Sequence, residues 1–175
     1  RNQEEQSIGI TEAHVQEIKE YLQALDLIVN CPIETTTGSA PLEHILITQP
    51  GLRYCQAQAL VYSLVQDRTF QTFSEREKNL AAQRILQEVR GRMLEDIVLL
   101  ETMKVAGQEQ NVFKLQFAAG EFDMVVYDKR KNYCAVFEVK HSGKTAPGQR
   151  RHLTNEENLS LTEKRFGGIV RRCVL

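Results

Sequence analysis

Glu138 and Lys140 stand two residues apart at the end of the run Tyr133-Cys-Ala-Val-Phe-Glu-Val-Lys140. In a β-strand that spacing sends both side chains off one face. The run is apolar until its end, and burying an unpaired charge there costs several kcal/mol. Asp123, set among Phe122, Met124, Val125 and Val126, is equally misplaced for a core role. If these two segments pair as antiparallel strands, Asp123 and Glu138 meet. Two carboxylates so placed repel, and a divalent cation, Mg2+ or Mn2+, relieves the repulsion. A lysine beside them can polarise a metal-bound water or stabilise charge developing on phosphate. Glu95, next to the apolar stripe of a long helix, can reach the same ion or orient the attacking water. The expected site is therefore Glu95, Asp123 and Glu138 as metal ligands, with Lys140 as the fourth catalytic residue. A salt bridge between Lys140 and one carboxylate at a sheet edge is the competing reading. Glu-x-Lys alone carries little, since Glu17-Ile-Lys19 is another example. The information lies in Asp123 and Glu138-x-Lys140 falling on two successive apolar strands.

Other candidates lie beyond the third strand. Lys144, Arg150 and Arg151, with His152, form a basic cluster in a loop. Such a cluster either holds a nucleic-acid backbone or is a solvated loop. Gln149 could extend the site or be an ordinary loop residue, and His141 adjoins Lys140 with the same two readings. No G-x-x-x-x-G-K-[ST] occurs, so ATP is not bound here by that route.

The elements that must position these residues follow from periodicity. Ser74-x-x-Glu77 is a capping box opening a helix to about Lys104, lined by Leu80, Ile85, Val89, Leu94, Ile97, Val98 and Met103. Gly91 weakens that helix by about 1 kcal/mol relative to alanine, which predicts close packing there. From Asn111 the period becomes two: Phe113, Leu115 and Phe117 alternate with Lys114 and Gln116, the pattern of a half-buried strand. Glu121 to Tyr127 and Tyr133 to Lys140 read as the next strands. A helix follows around Asn155–Phe166, stopped by Gly167-Gly168, and Ile169 to Leu175 is a fourth strand, parallel to its predecessor. Before Ser74, Thr11 caps a helix to Leu25 with Val15, Ile18, Leu22 and Leu25 in phase. Leu27–Asn30 reads as a short strand, a loop carries Pro32 and Pro41, and His44–Ile47 is a second strand. Gln49-Pro-Gly51 turns into a helix over Leu52–Val65. The expected fold is α/β: an αβββαβ core with a mixed sheet over 74–175, preceded over 1–66 by a partial winged-helix-like and helical segment.

A chain of 175 residues, 42% hydrophobic and 26% charged, can bury a core without staples. No apolar run approaches the roughly 18 residues of a membrane span, and the polar start has no signal-peptide pattern. A cytoplasmic location is expected. Cys31, Cys55, Cys134 and Cys173 are scattered without ligand spacing, which fits free thiols rather than zinc. The net charge is −1, but acidic residues concentrate in the first fifty positions and basic ones after 140. That asymmetry marks either a nucleic-acid-facing end or an intramolecular match. A first residue other than Met suggests a piece of a longer protein.

Val89-Arg-Gly-Arg-Met-Leu-Glu-Asp-Ile-Val98, with Thr48-Gln-Pro-Gly-Leu-Arg53 before it and Gly120-Glu-Phe-Asp123 and Phe137-Glu-Val-Lys140 after it, makes the chain recognisable. From about residue 10 to 175 it resembles the C-terminal region of bacterial and archaeal AAA+ ATPases, most densely over 89–140. The resemblance implies a PD-(D/E)xK nuclease-like domain of restriction-endonuclease-like fold behind a winged helix. The family's Gly-x-x-x-Glu corresponds to Gly91 and Glu95, its Glu-Val-Asp to Glu121 and Asp123, and its Glu-Val-Lys to Glu138 and Lys140. Phe122 replaces the proline of the nominal motif. The resemblance further implies an ATPase module before Arg1, where ATP would bind, and a winged helix whose first helices precede Ile8. The function it implies is Mg2+-dependent hydrolysis of DNA phosphodiesters, or else an inactive DNA- or protein-binding module serving the ATPase.

Overall fold

The computed structural model describes residues 9–37, 42–140 and 151–175. The elements run α1 (Glu12–Ala24), β1 (Ile28–Thr35), β2 (Leu42–Ile47), α2 (Pro50–Val65), α3 (Glu75–Val105), β3 (Gln110–Gln116), β4 (Glu121–Asp128), β5 (Tyr133–Glu138), α4 (Glu156–Phe166) and β6 (Gly168–Val174). Short 3-10 turns cover Arg68–Phe70 and His152–Thr154. The described residues thus form an α/β fold of four α-helices and one six-stranded mixed sheet. Among them no helix is long and apolar enough to cross a membrane.

The strand order is β2-β1-β3-β4-β5-β6. β3, β4 and β5 form an antiparallel meander, and β6 returns parallel to β5 through α4. The β1–β2 hairpin extends this sheet, with β1 parallel to β3. It was expected in a winged-helix-like segment; here it is the sheet's far edge. β1 also runs on to Thr35 rather than ending at Asn30. Pro32 is tolerated because the inner ladder with β3 begins after it, at Ile33↔Lys114, so the missing N–H leaves no gap there. Arg165 of α4 binds the Glu34 carboxylate and the Thr35 carbonyl, fastening that end of the strand.

Each face of the sheet carries its own core. Phe113, Leu115, Phe122 and Val136 pack with Leu159 and Phe166 of α4. Cys31, Leu46, Val112 and Met124 pack with Leu99 and Leu100 of α3. Covering on both faces changes the reading of β3: it is not half-buried, and Lys114 is only 7% exposed. The cysteines are free thiols, and burial pushes Cys31 and Cys134 up to about 11.

Three helices begin where the sequence says they should, and α2 begins at Pro50, inside the expected turn, with proline in its first turn. Ser74 Oγ accepts the Glu77 N–H, and Glu77 returns a carboxylate oxygen to the Ser74 N–H at 2.8 Å. Thr11 and Asn155 cap α1 and α4. Gly91, however, has nothing packed on it. A Cβ built there would meet no atom within 4 Å.

Candidate functional site

The site begins with a fault in β4. Leu115 pairs with Phe122 and Phe113 with Val125, so Asp123 and Met124 together face the single residue Lys114. This β-bulge breaks the alternation: Phe122 and Val125 both join the α4-side core, while Met124 joins the other. Asp123 is left within Coulombic reach of Lys114 and of Glu95 on α3. On its other side, the ladder with β5 ends at Met124↔Phe137. One step further the register sets Asp123 opposite Glu138. There the Asp123 carboxylate replaces the ladder, with Oδ2 accepting the Val139 N–H at 2.7 Å. β5 therefore stops at Glu138 rather than reaching Lys140. The segment beyond it is held instead by the chain end: Leu175 N–H donates to Glu138 O at 2.8 Å, and Lys140 N–H to Leu175 O at 2.9 Å.

Asp123, Glu138 and Lys140 converge as expected. The Lys140 ammonium lies 3.0 Å from Glu138 Oε2 and 3.6 Å from Asp123 Oδ2. Glu138 is 2% exposed and Asp123 6%. The other Glu138 oxygen, Oε1, is buried and has no hydrogen-bond partner among the described residues. Burial first, and then the Asp123 charge, raise the Glu138 carboxyl to about 7, against the opposing pull of Lys140.

Glu95 joins through a residue that sequence reasoning missed. Its carboxylate lies 3.4 Å from the Lys114 ammonium, which also faces Glu121 at 3.7 Å. Burial and then Asp123 raise the Glu95 carboxyl. For Lys114 and Lys140 burial alone would lower the ammonium, but the surrounding carboxylates outweigh it and raise both. Both lysines are therefore cations at neutral pH, and neither serves as a base. Among the described residues, Glu95, Glu121, Asp123 and Glu138 form ion pairs with these two cations alone. With every group ionised the cluster carries two uncompensated negative charges. A proton on Glu138 removes one of them; a divalent cation would remove both.

A second acid lies beside this cluster. Asp96, 2% exposed, is bound by Arg53 of α2 through Oδ2 and by His44 Nε2 of β2 through Oδ1 at 2.9 Å. Both partners reach across from the hairpin and helix that the sequence had grouped separately. The signal for Asp96 was present, because it stands in helical phase with buried Leu99 and Leu100. Lys114 carried no such signal, since its position fits an exposed strand face. Between the two groups lies a cleft of about 300 Å3 whose walls include Arg53, Gly91, Arg92, Glu95, Lys114 and Glu121.

The donor set is all oxygen, which suits Mg2+ or Mn2+ over softer metals. The orphaned Glu138 Oε1 beside Asp123 fits such an ion. Yet among the described residues no three His, Cys, Asp or Glu side chains are gathered closely enough to hold a metal. Lys140 takes the place between the two carboxylates.

Of the expected nucleic-acid contacts, Lys144 and Arg150 lie outside the described residues, as do His141 and Gln149. Arg151 is exposed and does not line the cleft, and His152 packs its ring against Gly120. No protein-family profile, curated protein or solved structure matches the chain.

Proposed function

We propose that this chain is a Mg2+- or Mn2+-dependent phosphodiester hydrolase of restriction-endonuclease-like type, acting on DNA as the C-terminal domain of an AAA+ ATPase. The observation that carries the reading is the buried Glu138 Oε1, without a partner among the described residues, beside Asp123 and Lys140. Leaving that atom unsatisfied costs roughly 1–3 kcal/mol or more, a cost that a purely structural salt bridge would not need. The order of α3, β3, β4, β5, α4 and β6 supports the fold assignment. The AAA+ module rests on the sequence resemblance alone.

Asp123 and Glu138 are the residues that would hold the ion, with Glu95 oriented toward them by Lys114. A bound divalent ion would neutralise phosphate charge and make a water more acidic. Lys140, charged at neutral pH, donates hydrogen bonds to the attacking water or to a phosphoryl oxygen. Glu95, held above the usual carboxylate range, is the group poised to take a proton from that water. The test is cleavage of a labelled DNA with and without Mn2+. Cleavage should require the metal and vanish in Asp123→Ala and Lys140→Ala.

One observation favours a second reading, a DNA- or protein-binding module without catalysis. Lys140 already bridges the two carboxylates, and the third is not gathered with them. DNA binding without cleavage, unchanged in Asp123→Ala, would decide for it.

A further inference from the structure

The cleft beside Glu95 has a basic mouth. Arg92 is exposed on α3 and its guanidinium has no ion pair or hydrogen bond among the described residues. Arg53 gives one edge of its fork to Asp96 and has no other partner among the described residues. The acids of the cleft are otherwise engaged: Asp96 by Arg53 and His44, Glu95 and Glu121 by Lys114, and Glu88 by Arg84 on the surface. Among the described residues Arg92 is therefore the cation of this cleft still free to meet a ligand.

Gly91 shapes the same space. It lines the cleft one helical turn before Glu95, and no neighbour demands a glycine there. A glycine inside a helix costs about 1 kcal/mol against alanine. What that cost leaves in place is a wall without a side chain between the basic mouth and the Glu95–Lys114 end.

A nucleic-acid strand repeats a phosphate at every nucleotide. An acidic centre repels that chain unless cations hold the neighbouring phosphates. Arginine forks match phosphate oxygens in both charge and geometry. We propose that this cleft is the subsite for a backbone phosphate next to the one attacked, gripped by Arg92 and the free edge of Arg53, with Gly91 keeping the wall open. The proposal rests on reading Asp123, Glu138 and Lys140 as a phosphodiester-hydrolysing site.

The experiment measures binding in EDTA, so that no cleavage is needed. Fluorescence anisotropy of the purified chain follows a labelled DNA duplex, the matching single strand and an RNA strand across a range of salt. Arg92→Ala should weaken binding of the preferred strand about 5-fold, and lower the slope of log affinity against log salt by about 1. Gly91→Leu, which fills the cleft, should weaken it comparably. Arg76→Ala, exposed near the start of the same helix and absent from the walls of the cleft, should bind as the parent does. Should Gly91→Leu not fold by circular dichroism, Arg92→Ala still decides. Unchanged affinity and slope in Arg92→Ala, or no binding of any strand by the parent chain, overturns the subsite. Failure of metal-dependent cleavage with the Arg92 effect intact removes the hydrolytic reading and leaves the phosphate site standing.

Discussion

Asp96 and Glu138 are both acids buried to the same degree, and they have met opposite fates. Both Asp96 oxygens are taken, by His44 and Arg53, and each partner reaches solvent. Glu138 shares one oxygen with Lys140 and leaves the other without a partner among the described residues, with Asp123 close by to oppose its charge. The first arrangement is closed, and its work is to join the β1–β2 hairpin and α2 to α3. The second is open, and the fold bears its cost. A buried acid with complete partners reports on stability; one held incomplete beside another acid is the candidate for the proposed chemistry.

Substitutions should separate the two groups. The largest effect belongs to the open one: Asp123→Ala and Lys140→Ala should each lower Mn2+-dependent DNA cleavage by about 1000-fold or more, measured on protein that circular dichroism shows to be folded. Glu138→Gln should lose activity yet gain stability. The folded carboxyl holds its proton up to about pH 7, whereas an ordinary glutamate releases it near 4.5. The native state therefore binds more protons across that window, so stability falls as pH rises through it and levels off above it. Urea unfolding at pH 8 with chelator should show Glu138→Gln more stable by up to about 3 kcal/mol, the gap closing toward pH 5. A gap that stays constant with pH would break the contrast.

Asp96→Ala should move stability the other way, by about 2 kcal/mol. Its loss removes charge-assisted hydrogen bonds, but Arg53 and His44 can hydrate rather than stay buried and unpaired. Gly91→Ala should raise stability by about 1 kcal/mol or less, since a Cβ there meets open space. Chemical denaturation measures both. A loss of stability in Gly91→Ala would show that something packs there after all.

How much of this was legible in the sequence depends on whether a residue's role is local. The Ser74–Glu77 cap, the β4–β5 hairpin and the turn at Gly167 follow from neighbours in the chain, and the structure has them in place. Asp123, Glu138 and Lys140 were found because charge at the end of an apolar strand is anomalous wherever the strand lies. Lys114 escaped notice because an alternating strand looks half-exposed until a second layer covers it. The phase of Asp96 with Leu99 and Leu100 marked it as buried, but its partners come from 43 and 52 residues away and have no local signal. The bulge at Asp123 has no local signature either, being a property of two strands in register. Pro32 misled in the other direction, ending β1 early, because which ladder a proline interrupts depends on neighbours the sequence does not name.

Mn2+ uptake by the purified chain at pH 8, read from the loss of the free-ion electron paramagnetic resonance signal, tests the central claim most directly. The account predicts a saturable site that disappears in Asp123→Ala and Glu138→Gln, survives in Asp96→Ala, and weakens below about pH 7 as Glu138 takes a proton. No saturable uptake, or uptake indifferent to Asp123 and Glu138, would contradict it.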